Sequence, residues 1–316
     1  MEKKTLISPS SFGSCGDEPL KLLESNDYQP VINPFGRKMT PLEVIEMGKD
    51  CSGIIAGVEL LDSRVLESLP DLRCISRCGV GTDNVDLEKA RELGIMVMNT
   101  PDAPTRAVAE LAIGVILDLL RNISRCDREI RQGNWYKGMG NLLLGRKIGI
   151  LGLGRIGRTV AELLVKLGTE VSGSDINPDM KWLKVNRVKL LGTEELLKES
   201  DILSIYVSYS GSSQYLIGTE EIESMKKGAF LVNLSRGGIV DEDALYQALK
   251  NQHLAGAALD VFEQEPYTGP LKGLDNVVLT SHIGSYARET RLEMEMQAVK
   301  NLLKCLTSLS GAKDHE

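Results

Sequence analysis

The chain has 316 residues, 42% of them hydrophobic and 26% charged, which specifies a folded core and leaves room for two domains of ordinary size. A formal net charge of −7, with no long Lys/Arg run, argues against a nucleic-acid partner. The longest apolar stretch, residues 111–120, is interrupted by Asp118 and falls far short of the roughly 20 residues that cross a bilayer; the first residues carry no apolar signal core, so no membrane partner is expected.

Apolar runs alternate with helical patterns from the start. Residues 5–7 read as a strand, 20–24 as a helix, 31–32 as a strand and 41–47 as a helix. Residues 53–56, 74–76 and 95–98 read as three further short strands. This alternation predicts parallel strands joined by right-handed crossovers, so residues 1–100 are expected to form a small α/β domain. Pro101 and Pro104 then break the chain. From Thr105, Val108, Leu111, Ala112, Val115, Ile116, Leu119 and Leu120 recur at helical spacing. So broad an apolar face suits a core helix or a dimer interface equally well.

A second α/β unit begins at Lys147. Strands are expected at residues 147–151, 170–174, 202–207, 229–234, 255–261 and 277–280. Thr193-Glu194-Glu195 and Asp241-Glu242-Asp243 read as helix starts, each with a capping side chain and acids in the first turn. A last helix, 288–306, has no strand after it and is expected to pack back onto the first domain. That gives a discontinuous domain of residues 1–100 with 286–316, around a second domain of residues 101–285.

The strand at 147–151 runs into Gly152-Leu153-Gly154-Arg155-Ile156-Gly157, and a helix is expected over 158–167, ended by Gly168. This is the dinucleotide fingerprint in its required strand–turn–helix context. Gly152 permits the turn, Gly154 lets a pyrophosphate approach the backbone, and Gly157 lets helix and strand pack closely. The helix N-terminus supplies N–H groups and a positive dipole end. Asp175 ends the next strand, where an acid binds the adenosine ribose and repels a 2′-phosphate, which favours NAD over NADP.

Of the three histidines, His315 lies in the tail and His253 in a polar helix-end stretch, expected to be solvated. His282 follows a strand, and in open α/β sheets the chemistry lies beyond the carboxyl ends of the strands. Arg236 and Glu265 follow two other strands, and an arginine fork there suits a carboxylate. Six scattered cysteines form neither a Cys-x-x-Cys pair nor a zinc-type cluster, which predicts reduced thiols in a cytoplasmic protein and no metal.

Together these segments resemble the D-isomer-specific 2-hydroxyacid dehydrogenase family over nearly the full chain. The motifs are Gly79-Val80-Gly81-Thr82-Asp83-Asn84-Val85-Asp86, Asn99-Thr100-Pro101, the glycine fingerprint, Asn233-Leu234-Ser235-Arg236-Gly237-Gly238, Asp260-Val261-Phe262-Glu263-Gln264-Glu265-Pro266 and Ser281-His282-Ile283-Gly284. The resemblance is greatest to a short form of the phosphoglycerate dehydrogenase branch, without the C-terminal regulatory domain that some members carry. It implies a Rossmann-type doubly wound parallel sheet that binds NAD and a smaller flavodoxin-like α/β substrate domain. It also implies interconversion of a small D-2-hydroxy acid and its 2-oxo acid, and a homodimer paired through the helix after Pro104.

The residue roles implied are as follows. His282 is the acid–base group, Glu265 orients it and stabilises its protonated form, and Arg236 grips the substrate carboxylate and polarises the 2-oxo oxygen. Asp260 sits near the nicotinamide end of the cofactor, and Arg155, Ile156, Val207, Leu234 and Gly284 line its path. The loop Arg77-Cys78-Gly79-Val80-Gly81 offers backbone N–H groups to the substrate carboxylate.

Some departures bear on substrate. Ser281 stands where proline usually precedes the histidine, and Tyr206-Val207-Ser208 lacks a common proline. Some phosphoglycerate dehydrogenases carry an arginine near the position of Gly57, where this chain has none. Arg37 and Lys38 are the substitutes for a phosphate contact. 3-Phosphoglycerate is therefore the leading candidate substrate, with glyoxylate, hydroxypyruvate and another 2-oxo acid still open. Formate is disfavoured, because that branch typically has glutamine where Glu265 stands. A non-enzymatic NADH-sensing protein of the same fold is the alternative from another class.

Overall fold

The computed structural model describes residues 3–209 and 211–311, so His315 lies outside the described residues. The chain divides into two compact units, Met1–Pro104 with Tyr286–Glu316, and Thr105–Ser285.

The first unit opens with β1 (Lys3–Ile7), α1 (Glu18–Glu24), β2 (Tyr28–Ile32), α2 (Pro41–Gly48) and β3 (Cys51–Ala56). It continues with α3 (Ser63–Glu67), β4 (Cys74–Arg77), α4 (Leu87–Glu92) and β5 (Met96–Met98). The five strands pair in parallel in the order β2-β1-β3-β4-β5, with Leu6 opposite Val31 on one side and Ile54 on the other. The order in which strands are added to the sheet thus reverses between β1 and β3. Thr40 starts α2 with a capping box: its hydroxyl accepts from the Glu43 N–H, and the Glu43 carboxylate accepts from the Thr40 N–H at 2.7 Å. Leu6, Ile54 and Ile75 bury one sheet face against Val44, Val65 and Leu66 of the helices. α3 and α4 have five and six residues, too few for a helical period to show in the sequence.

The second unit starts with α5 (Thr105–Arg121) and α6 (Ile123–Arg131). Then come β6 (Lys147–Leu151), α7 (Arg155–Lys166), β7 (Glu170–Ser174), α8 (Met180–Asn186), β8 (Lys189–Leu190), α9 (Thr193–Glu199) and β9 (Ile202–Ile205). The unit ends with α10 (Thr219–Ser224), β10 (Phe230–Asn233), α11 (Glu242–Lys250), β11 (Gly256–Leu259) and β12 (Val277–Leu279). All seven strands are parallel, in the order β12-β11-β10-β9-β6-β7-β8. This is a Rossmann-type doubly wound sheet, and its order reverses between β6 and β9. α5 buries Val108, Ala112, Val115, Ile116 and Leu119 in one core with Val160 and Leu164 of α7 and Phe230 and Val232 of β10, so it is a core helix of this unit.

Two local expectations are corrected. α7 begins at Arg155, three residues before the expected start, because Gly154 takes the N-cap position and Arg155-Ile156-Gly157 form the first turn. α9 is capped by Gly192 without a side-chain bond; the Thr193 hydroxyl instead meets Ser174 Oγ at 3.1 Å. Asp241 does cap α11, accepting from the Asp243 and Ala244 N–H groups at 3.0 Å each.

α12 (Arg288–Gly311) returns to the first unit. Met294, Ala298, Val299 and Leu302 pack with Ile7, Ile55 and Cys74 on the second face of its sheet. The Ser76 hydroxyl donates to the Ala298 carbonyl at 2.7 Å, and Asn301 donates to the Asn99 carbonyl at 2.9 Å. No helix among the described residues is long and apolar enough to cross a membrane.

Candidate active site

In the second unit the site residues lie at the carboxyl ends of β6, β7, β9, β10, β11 and β12. Hydrophobic strand residues run up to each end and stop where polar groups begin, so the sheet acts as a rigid base for loops.

The turn after β6 is built for close approach. Gly152 has φ +94°, and a Cβ there would lie 2.8–2.9 Å from the Tyr206–Val207 peptide. A Cβ at Gly157 would lie 2.0 Å from the Gly152 carbonyl oxygen, so the helix packs directly on the turn. A Cβ at Gly154 would meet nothing within 4 Å, which leaves the N-terminus of α7 open to an incoming phosphate. Gly154 caps that end without a side-chain bond, so the first-turn N–H groups are presented outward. These features fit a dinucleotide pyrophosphate.

Asp175 lies just past β7. One carboxylate oxygen accepts from the Leu153 N–H at 2.6 Å and the other from the Asn177 N–H at 2.7 Å. The half-buried carboxylate is thereby fixed against the glycine turn with lone pairs to spare for a diol. Val207 follows β9, held by the bond from the Tyr206 N–H to the Leu151 carbonyl at 2.7 Å.

Leu234 and Arg236 follow β10. Asn233 folds this loop: its side-chain oxygen accepts from Ser235 N–H and hydroxyl, and its amide donates to the Arg236 carbonyl at 3.0 Å. One Arg236 nitrogen donates to the Ser235 carbonyl at 2.8 Å, which orients the guanidinium. A Cβ at Gly237 would sit 1.9 Å from the Phe262 carbonyl oxygen, so only glycine lets the Arg236 loop lie against the loop that carries Glu265.

His282 follows β12. Its Nδ1 lies 3.0 Å from Glu265 Oε2, and both side chains are about two-fifths exposed. Glu265 Oε1 accepts from the Phe262 N–H at 3.2 Å. His282 has φ +56°, a left-handed conformation that L side chains rarely adopt. Asp260 is what enforces it. That side chain is 2% exposed. Its Oδ1 accepts from the Thr280 hydroxyl at 2.6 Å and the Ile283 N–H at 2.8 Å, and its Oδ2 from the Gly284 N–H at 2.7 Å. The Asp260 carboxylate thus fastens the histidine loop, and the Gly284 N–H is one of its donors.

The loop Arg77–Gly81 belongs to the first unit, after β4. The Cys78 N–H donates to the Ala56 carbonyl at 2.8 Å, and the Gly79 N–H to Thr100 Oγ1 at 2.8 Å. Burial pushes the Cys78 thiol up to about 11. The Cys78 and Gly79 amides thus tie the loop to the end of β3 and to Thr100, which leaves Val80 and Gly81 as the expected carboxylate donors. Arg77 donates to the Cys78 carbonyl at 2.5 Å. The expected phosphate substitute Arg37 grips both Glu43 oxygens at 2.9 and 2.6 Å and stacks on Phe35, and that contact with the capping box holds the Glu43 carboxyl down at about 2. His253 is half-buried, with Nε2 at 2.9 Å from the Ile222 carbonyl, rather than solvated. The described residues contain no cluster of three or more potential metal ligands.

A glycine turn shaped for a dinucleotide and a His–Glu pair, both at the carboxyl ends of one Rossmann-type sheet, define a nicotinamide-dependent dehydrogenase. The family model for the D-isomer specific 2-hydroxyacid dehydrogenase, NAD binding domain, matches residues 113–284. A glyoxylate reductase of Korarchaeum cryptofilum is 38% identical over 269 residues, 82% of this chain and 81% of that one. A D-3-phosphoglycerate dehydrogenase of Methanocaldococcus jannaschii is 38% identical over 260 residues, 80% of this chain but 49% of that one. Among solved structures, the TT0316 protein of Thermus thermophilus superposes with a TM-score of 0.87 at 33% identity, covering 96% of this chain and 97% of the other. The chain belongs to the D-isomer-specific 2-hydroxyacid dehydrogenase family and is an NAD-dependent D-2-hydroxyacid dehydrogenase.

Proposed function

We propose that the protein reduces a small, unphosphorylated 2-oxo acid, of the glyoxylate or hydroxypyruvate type, to its D-2-hydroxy acid. The observation that carries this reading is the loop at Gly57. It holds no cation, Glu59 is buried directly behind it, and Arg37 is engaged by Glu43. The glyoxylate reductase and the hydroxypyruvate reductase among its relatives support it too.

NAD, when bound, supplies the hydride carrier. His282, held at Nδ1 by Glu265, presents Nε2 to the 2-oxo oxygen and donates a proton there in reduction. Glu265 fixes the ring orientation through its contact with Nδ1. Arg236 takes the substrate carboxylate and polarises the carbonyl. Residues Met1–Pro104 with Tyr286–Glu316 would be the substrate-binding domain, and Thr105–Ser285 the cofactor domain.

NADH oxidation by the purified protein across glyoxylate, hydroxypyruvate, pyruvate and 3-phosphohydroxypyruvate tests this. The unphosphorylated acids are expected to give the higher kcat/KM. Preference for the phosphorylated acid overturns the substrate assignment, and NADH binding with no turnover of any acid favours a sensor. Replacing Asp175 with alanine is expected to lower the NADH-to-NADPH ratio of kcat/KM by roughly tenfold or more, through loss of a charge-assisted bond to the ribose. An unchanged ratio counts against that role.

We also infer a homodimer. Exposed apolar side chains concentrate in α6 and the segment after it, with Ile123, Ile130, Leu142 and Leu144 joined by Trp135 at 81% and Met139 at 94% exposure. Such a concentration marks a partner surface. Sedimentation is expected to give twice the chain mass; a monomer at micromolar concentration refutes the assignment.

A further inference from the structure

The reversal of strand order between β1 and β3 makes a crevice at the carboxyl end of the first unit's sheet, the place where open α/β sheets bind ligands. Its walls are the loops that start at Ser8 and Gly57, and its polar groups converge as they would on an anion. The Gly57 N–H points in, and so does the Ser8 hydroxyl. Asn33 and Asn84 brace the walls: Asn33 donates to the Ser8 carbonyl at 2.7 Å, and Asn84 to the Glu59 carbonyl at 2.5 Å and the Gly57 carbonyl at 3.3 Å.

One side chain fills this crevice. Glu59 is 1% exposed. Its Oε1 accepts from the Gly57 N–H at 2.9 Å and from the Ser8 hydroxyl in a short bond, and its Oε2 lies 3.1 Å from the same N–H. The Gly57 N–H is also 3.0 Å from Ser8 Oγ, and the Ser8 hydroxyl lies 3.1 Å from the Ile55 carbonyl oxygen as well. Glycine at 57 leaves room for this arrangement: a Cβ there would lie 2.9 Å from Glu59 Oε2 and 3.3 Å from Pro9 Cα, so a larger residue would have to displace the carboxylate.

We infer that Glu59 is a built-in anion occupying an anion cradle at the β1/β3 crevice, and that it is the residue by which this enzyme rejects phosphorylated substrates. The inference deepens the unphosphorylated-acid reading and rests on it. Two effects act together: the carboxylate takes the donors that a phosphate would use, and its charge repels a second anion in a water-poor setting. Absence of an arginine alone leaves phosphate unaided, whereas Glu59 actively excludes it.

The test is Glu59→Ala in the full-length protein, with inorganic phosphate as the probe. Thermal melting is followed in phosphate and in chloride at matched ionic strength. The wild type sets the baseline, because phosphate stabilises folded proteins generally and can meet the open α7 N-terminus; the variant is expected to gain more from phosphate over chloride than the wild type does, as phosphate enters the vacated cradle. The kcat/KM for 3-phosphohydroxypyruvate relative to glyoxylate is expected to rise roughly tenfold or more, the worth of a charge-assisted hydrogen bond. If the variant folds poorly, recovery of folded protein with phosphate or acetate, and not with chloride, is the same positive result. A phosphate-over-chloride response no larger in the variant than in the wild type, or no anion-selective recovery, overturns the cradle. A selective melting response with an unchanged substrate ratio overturns the specificity role. The wild-type substrate panel stands apart: preference there for the phosphorylated acid defeats the functional reading without touching the melting result.

Discussion

Replacing His282 with alanine is expected to lower kcat by roughly 10²–10⁴-fold, the usual contribution of a positioned acid–base group, while the Kd for NADH stays near the wild-type value. The two effects separate because the groups that hold them are separate. The glycine turn rests on β6, β7 and the α7 N-terminus, and Asp175 is fixed to that turn by the Leu153 N–H. The histidine loop is held through backbone at Ile283 and Gly284, so loss of the imidazole leaves the loop anchored. Alanine meets the same φ of +56° without a side chain that tolerates it, so His282→Asn is the control for backbone strain. Both variants are expected to lose turnover alike. Wild-type kcat in either, measured by stopped-flow NADH oxidation, removes His282 from the chemistry. A large rise in the NADH Kd would assign it to cofactor binding.

The fold was legible because its signals are local. Apolar runs such as residues 147–151 and 202–205 are long enough to announce buried strands, and the fingerprint 152–157 carries its own context. β8 is two residues, Lys189 and Leu190, both exposed, so no pattern marks it although it completes one edge of the sheet. The site was legible as a roster of residues and much less as a geometry. Nothing in the order of residues says that the Asp260 carboxylate is bonded to Thr280, Ile283 and Gly284, 20 to 24 positions on. Nor does it say that the amides of Cys78 and Gly79 are used by Ala56 and Thr100, or that Glu59 reaches Ser8 across 51 positions. Gly237 was visible only as part of a motif; the reason for it is a carbonyl of another strand's loop, at Phe262. In each case the decisive contact joins segments that only the sheet brings together.

Replacing Asp260 with alanine is expected to be the most damaging change outside the reacting groups. It leaves the Thr280 hydroxyl and the Ile283 and Gly284 N–H groups without their acceptor in a site where Asp260 itself is 2% exposed. Each buried donor left unsatisfied costs about 1–3 kcal/mol, and relaxation of the loop into water recovers part of that, so a loss of about 2–4 kcal/mol is expected. The loop relaxes by abandoning the left-handed turn at His282, because that conformation is held only while its flanking donors are bound. The imidazole then moves away from Glu265, and a displacement of about 1 Å is enough for a roughly 10²-fold loss of turnover. Asp260→Asn keeps one acceptor oxygen and the side-chain volume but sets an NH₂ against one of the donors, so it is expected to fall between alanine and the wild type in both melting temperature and kcat. The discriminating measurement is kcat well below the melting transition, where all three proteins are folded. If kcat there is the same in all three, Asp260 supports the fold without positioning the histidine. If kcat falls in the order wild type, asparagine, alanine while the Kd for NADH holds, the carboxylate acts on the chemistry through the loop it fastens.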